Sequence, residues 1–362
     1  MSIQQEIQDK RIAVLLSGGV DSSVVVYLLA SMGLHPDCYY IKIGPDEDEE
    51  WDCSSEEDME MATAVAHRYG CPLQVVDCHE EYWTQVTRYT MDKVRSGYTP
   101  NPDVMCNRLI KFGAFHEKCG HRYDLIATGH YARTEFDECG NKWLVTSPDP
   151  VKDQTDFLAQ IYDWQLAKAL FPIGHFMKDE VRQIAEREHL ASARRKDSQG
   201  ICFLGKINYN NYLRRYLGEQ PGDVLEWETG RRIGQHRGLW FHTIGQRHGL
   251  GFGGGPWFVV RKDMAANVLY VSHGYDPQTA YKSDFVIRDF HYLTPSAGTA
   301  LPTRITFKIR HTPEYHPATL EVIDGGYIVH SGHPIHGVAP GQFCVVYDSD
   351  HHRCFGSAEI SV

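Results

Sequence analysis

Two cysteines stand where a thiol could do chemistry. The first, Cys106, lies in Thr99-Pro-Asn-Pro-Asp-Val-Met-Cys-Asn-Arg-Leu-Ile-Lys-Phe-Gly113. Asn101 can cap a helix by accepting from an orphan backbone N–H, and Pro102 suits the first helical position because it has no N–H to leave unpaired. Asp103 and Cys106 then share one helix face. The positive end of that helix favours a thiolate, an effect that fades beyond the first turn. The charge of Asp103 opposes it, so Asp103 suits a proton-handling or base-positioning role better. The second, Cys202, lies in Arg195-Lys-Asp-Ser-Gln-Gly-Ile-Cys-Phe-Leu-Gly205, between two glycines and downstream of basic residues. Flexible backbone would let it approach and leave a site, and neighbouring positive charge favours its thiolate. Taken singly, Cys106 reads as a packed helix residue and Cys202 as an ordinary loop thiol.

A third segment, Ser17-Gly18-Gly19-Val20-Asp21-Ser22-Ser23, follows an apolar run and opens a helical pattern. Two glycines allow unusual backbone angles and close approach. Successive backbone N–H groups at a helix N-terminus form an anion nest, to which the serine hydroxyls add donors. No lysine follows the second glycine, so this is not the GxxxxGK[ST] phosphate loop. A pyrophosphate leaving group calls for Mg²⁺, which leans on substrate phosphates and waters and needs few protein carboxylates. Asp21 is a candidate contact, and no dedicated metal cage is expected.

These segments need a scaffold. Ile12–Leu16 is a fully apolar run typical of a buried parallel strand, and Tyr39–Ile43, Leu73–Asp77 and Asp124–Thr128 read as further strands. Ser22–Met32, Ser55–Tyr69 and Glu80–Arg95 read as helices between them. Such alternation predicts a doubly wound α/β parallel sheet. After the helical segment Lys178–His189 the chain becomes rich in glycine and aromatics, with short strands such as Trp257–Val260. From about Ser283 short strands repeat: Arg304–Arg310, Ala318–Ile323, Tyr327–His330, Phe343–Tyr347 and Cys354–Val362. Asp324-Gly325-Gly326 marks a hairpin. The expected division is an α/β catalytic domain over 1–205, a small mixed central domain over 206–280 and a C-terminal β-barrel over 281–362.

Composition bounds the function. The 10 cysteines include no CxxC pair, which argues against a zinc ribbon or a thioredoxin-type centre. The net charge of −11 is unexpected for a nucleic-acid binder. Yet Asp46–Glu60 alone carries 10 acidic residues, and outside it 36 basic residues face 37 acidic ones. Arg194-Arg195-Lys196, Arg214-Arg215 and Arg231-Arg232 are candidate phosphate contacts or plain surface charge. No apolar stretch is long enough to span a bilayer and the first ten residues do not read as a signal peptide, so a cytoplasmic protein without a membrane partner is expected.

The Ser17–Ser23 loop resembles that of the N-type ATP pyrophosphatases, which transfer AMP to an oxygen. Loop, NPDxxCN segment and DSxGICF segment, in this order, resemble the bacterial tRNA-specific 2-thiouridylases, the MnmA/TrmU family. Ala127-Thr-Gly-His-Tyr131, Lys152-Asp-Gln-Thr155, Thr243-Ile-Gly-Gln-Arg247, Pro256-Trp257 and Ala339-Pro-Gly-Gln342 extend the resemblance over essentially the whole chain. It implies ATP contacts at Leu15, Leu16, Ser17, Gly18, Gly19, Val20, Asp21, Ser22, Ile41 and Gly129. It implies Cys106 as the nucleophile, Cys202 as the persulfide carrier, and an alternate disulfide between the two. Asn101, Pro102 and Asp103 would sit near the target base. Contacts to tRNA would fall on His130, Lys152, Asp153, Gln154, Arg310, His311 and Gln342. The chain departs from the pattern at Asp156 and His311, where tyrosine is commoner, at Gln199, where threonine is commoner, and after Lys42, where Asn-Trp is missing.

The implied activity is ATP-dependent thiolation of the wobble uridine in tRNAs for Lys, Glu and Gln, held by the anticodon arm. ATP adenylates the uracil 2-oxygen, and sulfur from a persulfide donor protein replaces it. Either Cys106 releases hydrosulfide by forming the disulfide with Cys202, or it takes the sulfur and attacks directly. The Cys202 loop is expected to be mobile and to order on tRNA. Two rivals explain less: a small-molecule ligase of the same loop class leaves the cysteines idle, and a non-enzymatic regulator leaves Cys106, Cys202 and Asp103 without purpose. An iron–sulfur cluster would need ligands beyond these two cysteines.

Overall fold

The computed structural model describes residues 3–44, 55–196, 209–274, 278–295 and 300–361. Strand β1 (Ile12–Leu15) is buried at every position, as a strand covered on both faces must be. Ala13 and Leu15 face one core with Tyr39 and Ile41, while Ile12 and Val14 face a second core with Val24, Val25 and Leu29. This two-sided burial follows from side chains alternating along the strand. Strands β2 (Asp37–Lys42), β3 (Leu73–Asp77) and β4 (Leu125–Ala127) follow, then a hairpin of β5 (Arg133–Phe136) and β6 (Lys142–Val145), then β7 (Ala169–Leu170). The first sheet is wholly parallel in the order β3-β2-β1-β4-β7. Helices Val20–Ser31 and Lys178–Arg187 cover one face. The helix that begins at Pro102 covers the other, with Val104, Cys106 and Ile110 packed among Ala13, Leu15 and Ile41. The order reverses between β1 and β4, the topological switch point where open α/β sheets bind ligands beyond the strand C-termini.

The segment expected as one helix over Glu80–Arg95 is α-helical at His79–Glu81 and Arg88–Arg95, with a π-helical stretch, Tyr82–Thr87, between. Within it the Thr84 hydroxyl turns back on the Glu80 carbonyl at 2.7 Å, which gives that displaced acceptor a partner.

Strands β8 (Gly222–Glu226), β9 (Arg232–His236), β10 (Trp257–Asp263) and β11 (Val268–His273) form a small mixed sheet, with β11 and β8 parallel. Strands β12 (Tyr281–Tyr292), β13 (Arg304–Lys308), β14 (His316–Ile323), β15 (Gly326–His336), β16 (Phe343–Tyr347) and β17 (Arg353–Ser361) run in the order β12-β15-β14-β13-β16-β17. Pairing of β12 with β17 closes them into a six-stranded barrel. The β5–β6 hairpin pairs with β17 at Val145–Arg353 and Leu144–Cys354, and so extends the barrel's sheet from the N-terminal part of the chain. No sequence signal announced that pairing.

A buried polar cluster joins the same two regions. Asp153 and Lys308 lie 3.4 Å apart with side chains 1% exposed. Tyr315 and Thr155 hydroxyls and the Ser147 N–H donate to the Asp153 carboxylate. Burial raises that carboxyl's pKa, against the Lys308 charge and the Ser147 and Thr155 donors, which pull it down. Removing one partner leaves the other buried without compensation. Asp153→Ala and Lys308→Met are each expected to cost about 3–5 kcal/mol in urea unfolding, and the double variant less than the sum. Additive losses would show that the two groups do not interact.

Candidate active site

The Ser17–Ser23 segment, the expected phosphate loop, is built by β1 and the helix after it. Gly18 has φ +76°, and a Cβ there would lie 2.2 Å from the Asp58 carbonyl oxygen. Only glycine fits both demands. Gly19 caps the helix Val20–Ser31 in extended conformation. Ser22 Oγ accepts from Ser17 N–H at 3.2 Å and donates to Gly19 O, and Ser23 Oγ donates to Gly19 O at 2.8 Å. Leu15, Leu16, Val20 and Ile41 are buried supports of the loop. Gly129, just after β4, approaches so closely that a Cβ would meet Ser22 N at 3.0 Å. The predicted ATP residues therefore converge on the switch point, with backbone N–H groups and a helix N-terminus suited to polyphosphate.

Asp21 does not stand open to solvent. Lys178 Nζ reaches its two oxygens at 2.7 and 2.9 Å, and the Tyr131 hydroxyl donates to it at 2.8 Å. Lys178 is buried and begins the helix Lys178–Arg187, and its own N–H donates to Asp149 at 2.9 Å. Sequence reasoning missed Lys178. A lysine at the head of an amphipathic helix reads as ordinary surface, and only the fold brings it to the loop. Among the described residues no group of three or more His, Cys, Asp or Glu side chains could hold a metal.

The helix carrying Cys106 forms as its sequence predicts. Asn101 is the N-cap, accepting from Asp103 N–H at 3.1 Å and Val104 N–H at 3.4 Å, with Pro102 at the first position. After Cys106 the helix becomes π-helical over Asn107–Ala114. The Gln165 side chain donates to the displaced Arg108 carbonyl at 2.8 Å. Such insertions concentrate at functional sites. Cys106 is 1% exposed, while Asn101, Pro102 and Asp103 remain half-exposed at the helix start. Asn107 donates to Phe157 O at 3.0 Å, and its buried Oδ1 has no hydrogen-bond partner among the described residues.

The turn after β4 links the two halves. Gly129 abuts the phosphate loop, and the next residue, His130, reaches Lys111 on the cysteine helix at 3.4 Å and Thr128 Oγ1 at 2.8 Å. Burial and the Lys111 charge hold the imidazole well below its ordinary pKa, so it is neutral at pH 7. The Lys152–Gln154 segment joins the same assembly. Gln154 exchanges hydrogen bonds with the Tyr131 backbone at 3.0 and 2.8 Å, and Tyr131 holds Asp21. Lys152 is half-exposed, whereas Asp153 is spent inside the protein on Lys308.

The barrel supplies the opposite wall. Thr99 N–H donates to Pro340 O at 2.8 Å, which sets the turn containing Gln342 against the chain leading into Asn101. Gln342 Oε1 is buried with no hydrogen-bond partner among the described residues. Exposed Arg310 donates to the His336 and Gly337 carbonyls at 2.7 and 2.9 Å. Cys202 and the expected mobile loop around it lie outside the described residues. The segment's first residue, Arg195, is described: its guanidinium donates to Gly18 O at 3.3 Å and pairs with Asp58 at 2.6 Å. The segment thus sets out from the phosphate loop. Arg214, Arg231 and Arg232 pair with Glu219, Glu226 and Asp223, which is the reading as plain surface charge.

Two of the departures from the family pattern, Asp156 and His311, touch each other. His311 Nδ1 lies 3.1 Å from an Asp156 oxygen, and its ring is 4.8 Å from Phe157. The Asp156 hydrogen bond raises the His311 pKa against opposing burial. A raised folded-state pKa contributes stability that is full below the unfolded value, about 6.5, and is lost as pH climbs through the folded one. The melting-temperature advantage of wild type over His311→Gln should therefore shrink from pH 6 to pH 8. An advantage constant with pH would mean that the pair is not ionised.

Comparison with known proteins yields three family matches in series: a tRNA methyl transferase HUP domain over residues 10–206, a tRNA methyl transferase PRC-barrel domain over 210–273, and an aminomethyltransferase β-barrel domain over 282–360. The chain is 59% identical over 351 residues to a tRNA-specific 2-thiouridylase MnmA 2 of Bacteroides fragilis, covering 96% of this chain and 99% of that protein. It is 58% identical over 353 residues to a 2-thiouridylase MnmA 1 of Bacteroides thetaiotaomicron, covering 97% and 99%. It is 55% identical over 357 residues to the 2-thiouridylase MnmA of Porphyromonas gingivalis, again covering 97% and 99%.

Proposed function

The chain belongs to the tRNA-specific 2-thiouridylase family, sulfurtransferases acting on tRNA, and from that premise we propose the course of its reaction and the residues that carry it. The target is the wobble uridine of tRNAs for Lys, Glu and Gln, splayed from its stack as in other base-modifying enzymes. Backbone N–H groups of Gly18–Ser22 hold the ATP phosphates so that the α-phosphorus meets the uracil 2-oxygen. The oxygen attacks, pyrophosphate leaves, and O2 becomes part of AMP, a good leaving group. Mg²⁺, brought by the substrate phosphates, would neutralise the charge that builds on the departing pyrophosphate. Asp21, already holding Lys178 and Tyr131, orients the loop and would be a candidate carboxylate for that ion.

A donor protein loads sulfur on Cys202 as a persulfide. In one route the Cys106 thiolate attacks the inner sulfur, the Cys106–Cys202 disulfide forms, and hydrosulfide leaves to attack C2. In the other Cys106 accepts the outer sulfur and its persulfide attacks C2, and the disulfide forms as the carbon–sulfur bond is left on the base. In each, AMP departs with the original oxygen and an external thiol reduces the disulfide. Asp103, on the face of Cys106 and half-exposed beside Asn101 and Pro102, takes the base. His130, Lys152, Gln154, Arg310, His311 and Gln342 line the tRNA path; Asp153 holds that path in place. The reaction is proposed to run in the cytoplasm, with domain limits at 205/206 and 280/281.

The observation that carries this reading is the junction at Gly18. The loop suited to ATP accepts a hydrogen bond from Arg195, the head of the Cys202 segment, while Gly129-His130 ties the same loop to the Cys106 helix. The deciding measurement is 2-thiouridine in anticodon-bearing tRNA incubated with protein, ATP, Mg²⁺ and a persulfide donor. Pyrophosphate release that depends on tRNA, with 2-thiouridine at the wobble position, is the expected result. A tRNA that stimulates neither would overturn it.

A further inference from the structure

The three parts of the chain meet around a crevice of about 540 Å³. Tyr98 lines it from the α/β part, Trp227, Arg261 and Lys262 from the middle sheet, and Lys282 and Pro340 from the barrel. No aspartate or glutamate is among its described lining residues, although the chain as a whole carries a net charge of −11. Lys262 is half-buried, and its Nζ donates to a neutral group, the His242 carbonyl, at 3.1 Å. Burial pulls its pKa down to about 8, and no carboxylate opposes the shift. An ammonium held this way still carries its proton at pH 7 and lacks a counter-charge among the described residues. Lys282 is exposed beside it, Trp227 is 43% exposed, and Arg261 leans on Asp263 at 3.6 Å.

Two ammonium groups without a carboxylate partner among the described residues, next to an indole that meets Tyr270 edge-on at 5.5 Å and is otherwise 43% exposed, suit a nucleotide: phosphate on the ammonium groups, base on the ring. Position chooses the source. Tyr98 is three residues from Asn101, at most about 10 Å of chain. Pro340 accepts from Thr99 N–H and stands two residues before Gln342. The crevice therefore lies within a few residues of the chain that leads into Asn101–Cys106.

We propose that this crevice is a backbone subsite for the substrate tRNA, in which Lys262 and Lys282 take phosphodiester oxygens of nucleotides flanking the target uridine and Trp227 stacks on one of their bases. The proposal rests on the tRNA-thiolating reading above. A half-buried lysine without its counter-charge is then explained: the RNA brings it.

The test is tRNA binding by fluorescence anisotropy over a potassium chloride series, using full-length wild type, Lys262→Met, Lys262→Arg, Lys282→Met and Trp227→Ala. Each lost phosphate contact should weaken binding several-fold and flatten the slope of log K against log salt by about 0.7. Lys262→Arg should keep the slope, and Trp227→Ala should weaken binding without changing it. Lys282 lies on the surface, so its variant decides the matter even if Lys262→Met fails to fold. Wild-type affinity and slope in every methionine variant that folds would overturn the proposal. So would free AMP quenching Trp227 fluorescence with no tRNA effect, which would make the crevice a small-nucleotide site. Wild type that thiolates tRNA while these variants bind normally defeats this inference alone; wild type that does not thiolate tRNA defeats the reading beneath it.

Discussion

Cys106→Ser is expected to lower 2-thiouridine formation by at least about a thousandfold, the usual cost of removing a nucleophile. Oxygen for sulfur is nearly isosteric, but Cys106 is 1% exposed and the variant buries a hydroxyl there, so folding should survive with a penalty of about 1–3 kcal/mol. The phosphate loop stands on a different strand-to-helix turn. Pyrophosphate release driven by tRNA and ATP should therefore persist in the variant, and persulfide should accumulate on Cys202. Mass spectrometry of the loaded variant reads the persulfide directly. Near-wild-type 2-thiouridine from Cys106→Ser would remove Cys106 from the mechanism and leave Cys202 to deliver sulfur unaided.

Gly18→Ala should fail at the earlier step. The residue's φ of +76° costs an L-residue roughly 1–2 kcal/mol, and the new methyl would sit 2.2 Å from the Asp58 carbonyl oxygen. Relief requires the loop or Asp58 to shift, and Asp58 also holds Arg195, which donates to Gly18 O. A displacement of about 1 Å in an oriented site costs roughly a hundredfold in rate. Pyrophosphate release and thiolation are expected to fall together by about that factor, unlike in Cys106→Ser, where they separate. Gly33→Ala is the control: it has φ +81° but nothing within 4 Å, so it bears the strain without the clash. Equal activity loss in both alanine variants would trace the effect to stability and not to the loop.

Both predictions act on residues whose local pattern is legible in the amino-acid sequence. The Asn101 cap, Pro102 at the first position and the paired glycines are local signals, since each concerns a backbone group within a few residues of the side chain that satisfies it. The buried strands are legible for a related reason: an apolar run covered on both faces leaves no room for polar alternation. The buried strand at Phe343–Tyr347 has the expected bounds, and so has the one at Leu73–Asp77, an edge strand in which only Val76 is buried. What failed was equally physical. Lys178 looks like any charge at a helix start, and the pairing of β6 with β17 joins residues about two hundred positions apart with no local signature. The π-helical stretches are unreadable from sequence because the register of a helix is settled by partners such as Gln165, far away along the chain.

The division of labour follows from range. By itself the sequence determined the element types, the anion nest at Ser17–Ser23, the capped helix bearing Cys106 and, through the order of its motifs, the family. These depend on backbone sterics and hydrogen bonds closed within one or two turns. The tertiary structure alone decided what those elements face. It set Lys178 and Tyr131 on Asp21, His130 against the cysteine helix, Arg195 on Gly18, and the Gln342 turn against Thr99. It also brought Asp156 and His311, two departures far apart in the sequence, into one hydrogen-bonded pair. Such contacts depend on how sheets and helices pack, and packing sums many weak terms from the whole chain, which no local pattern encodes.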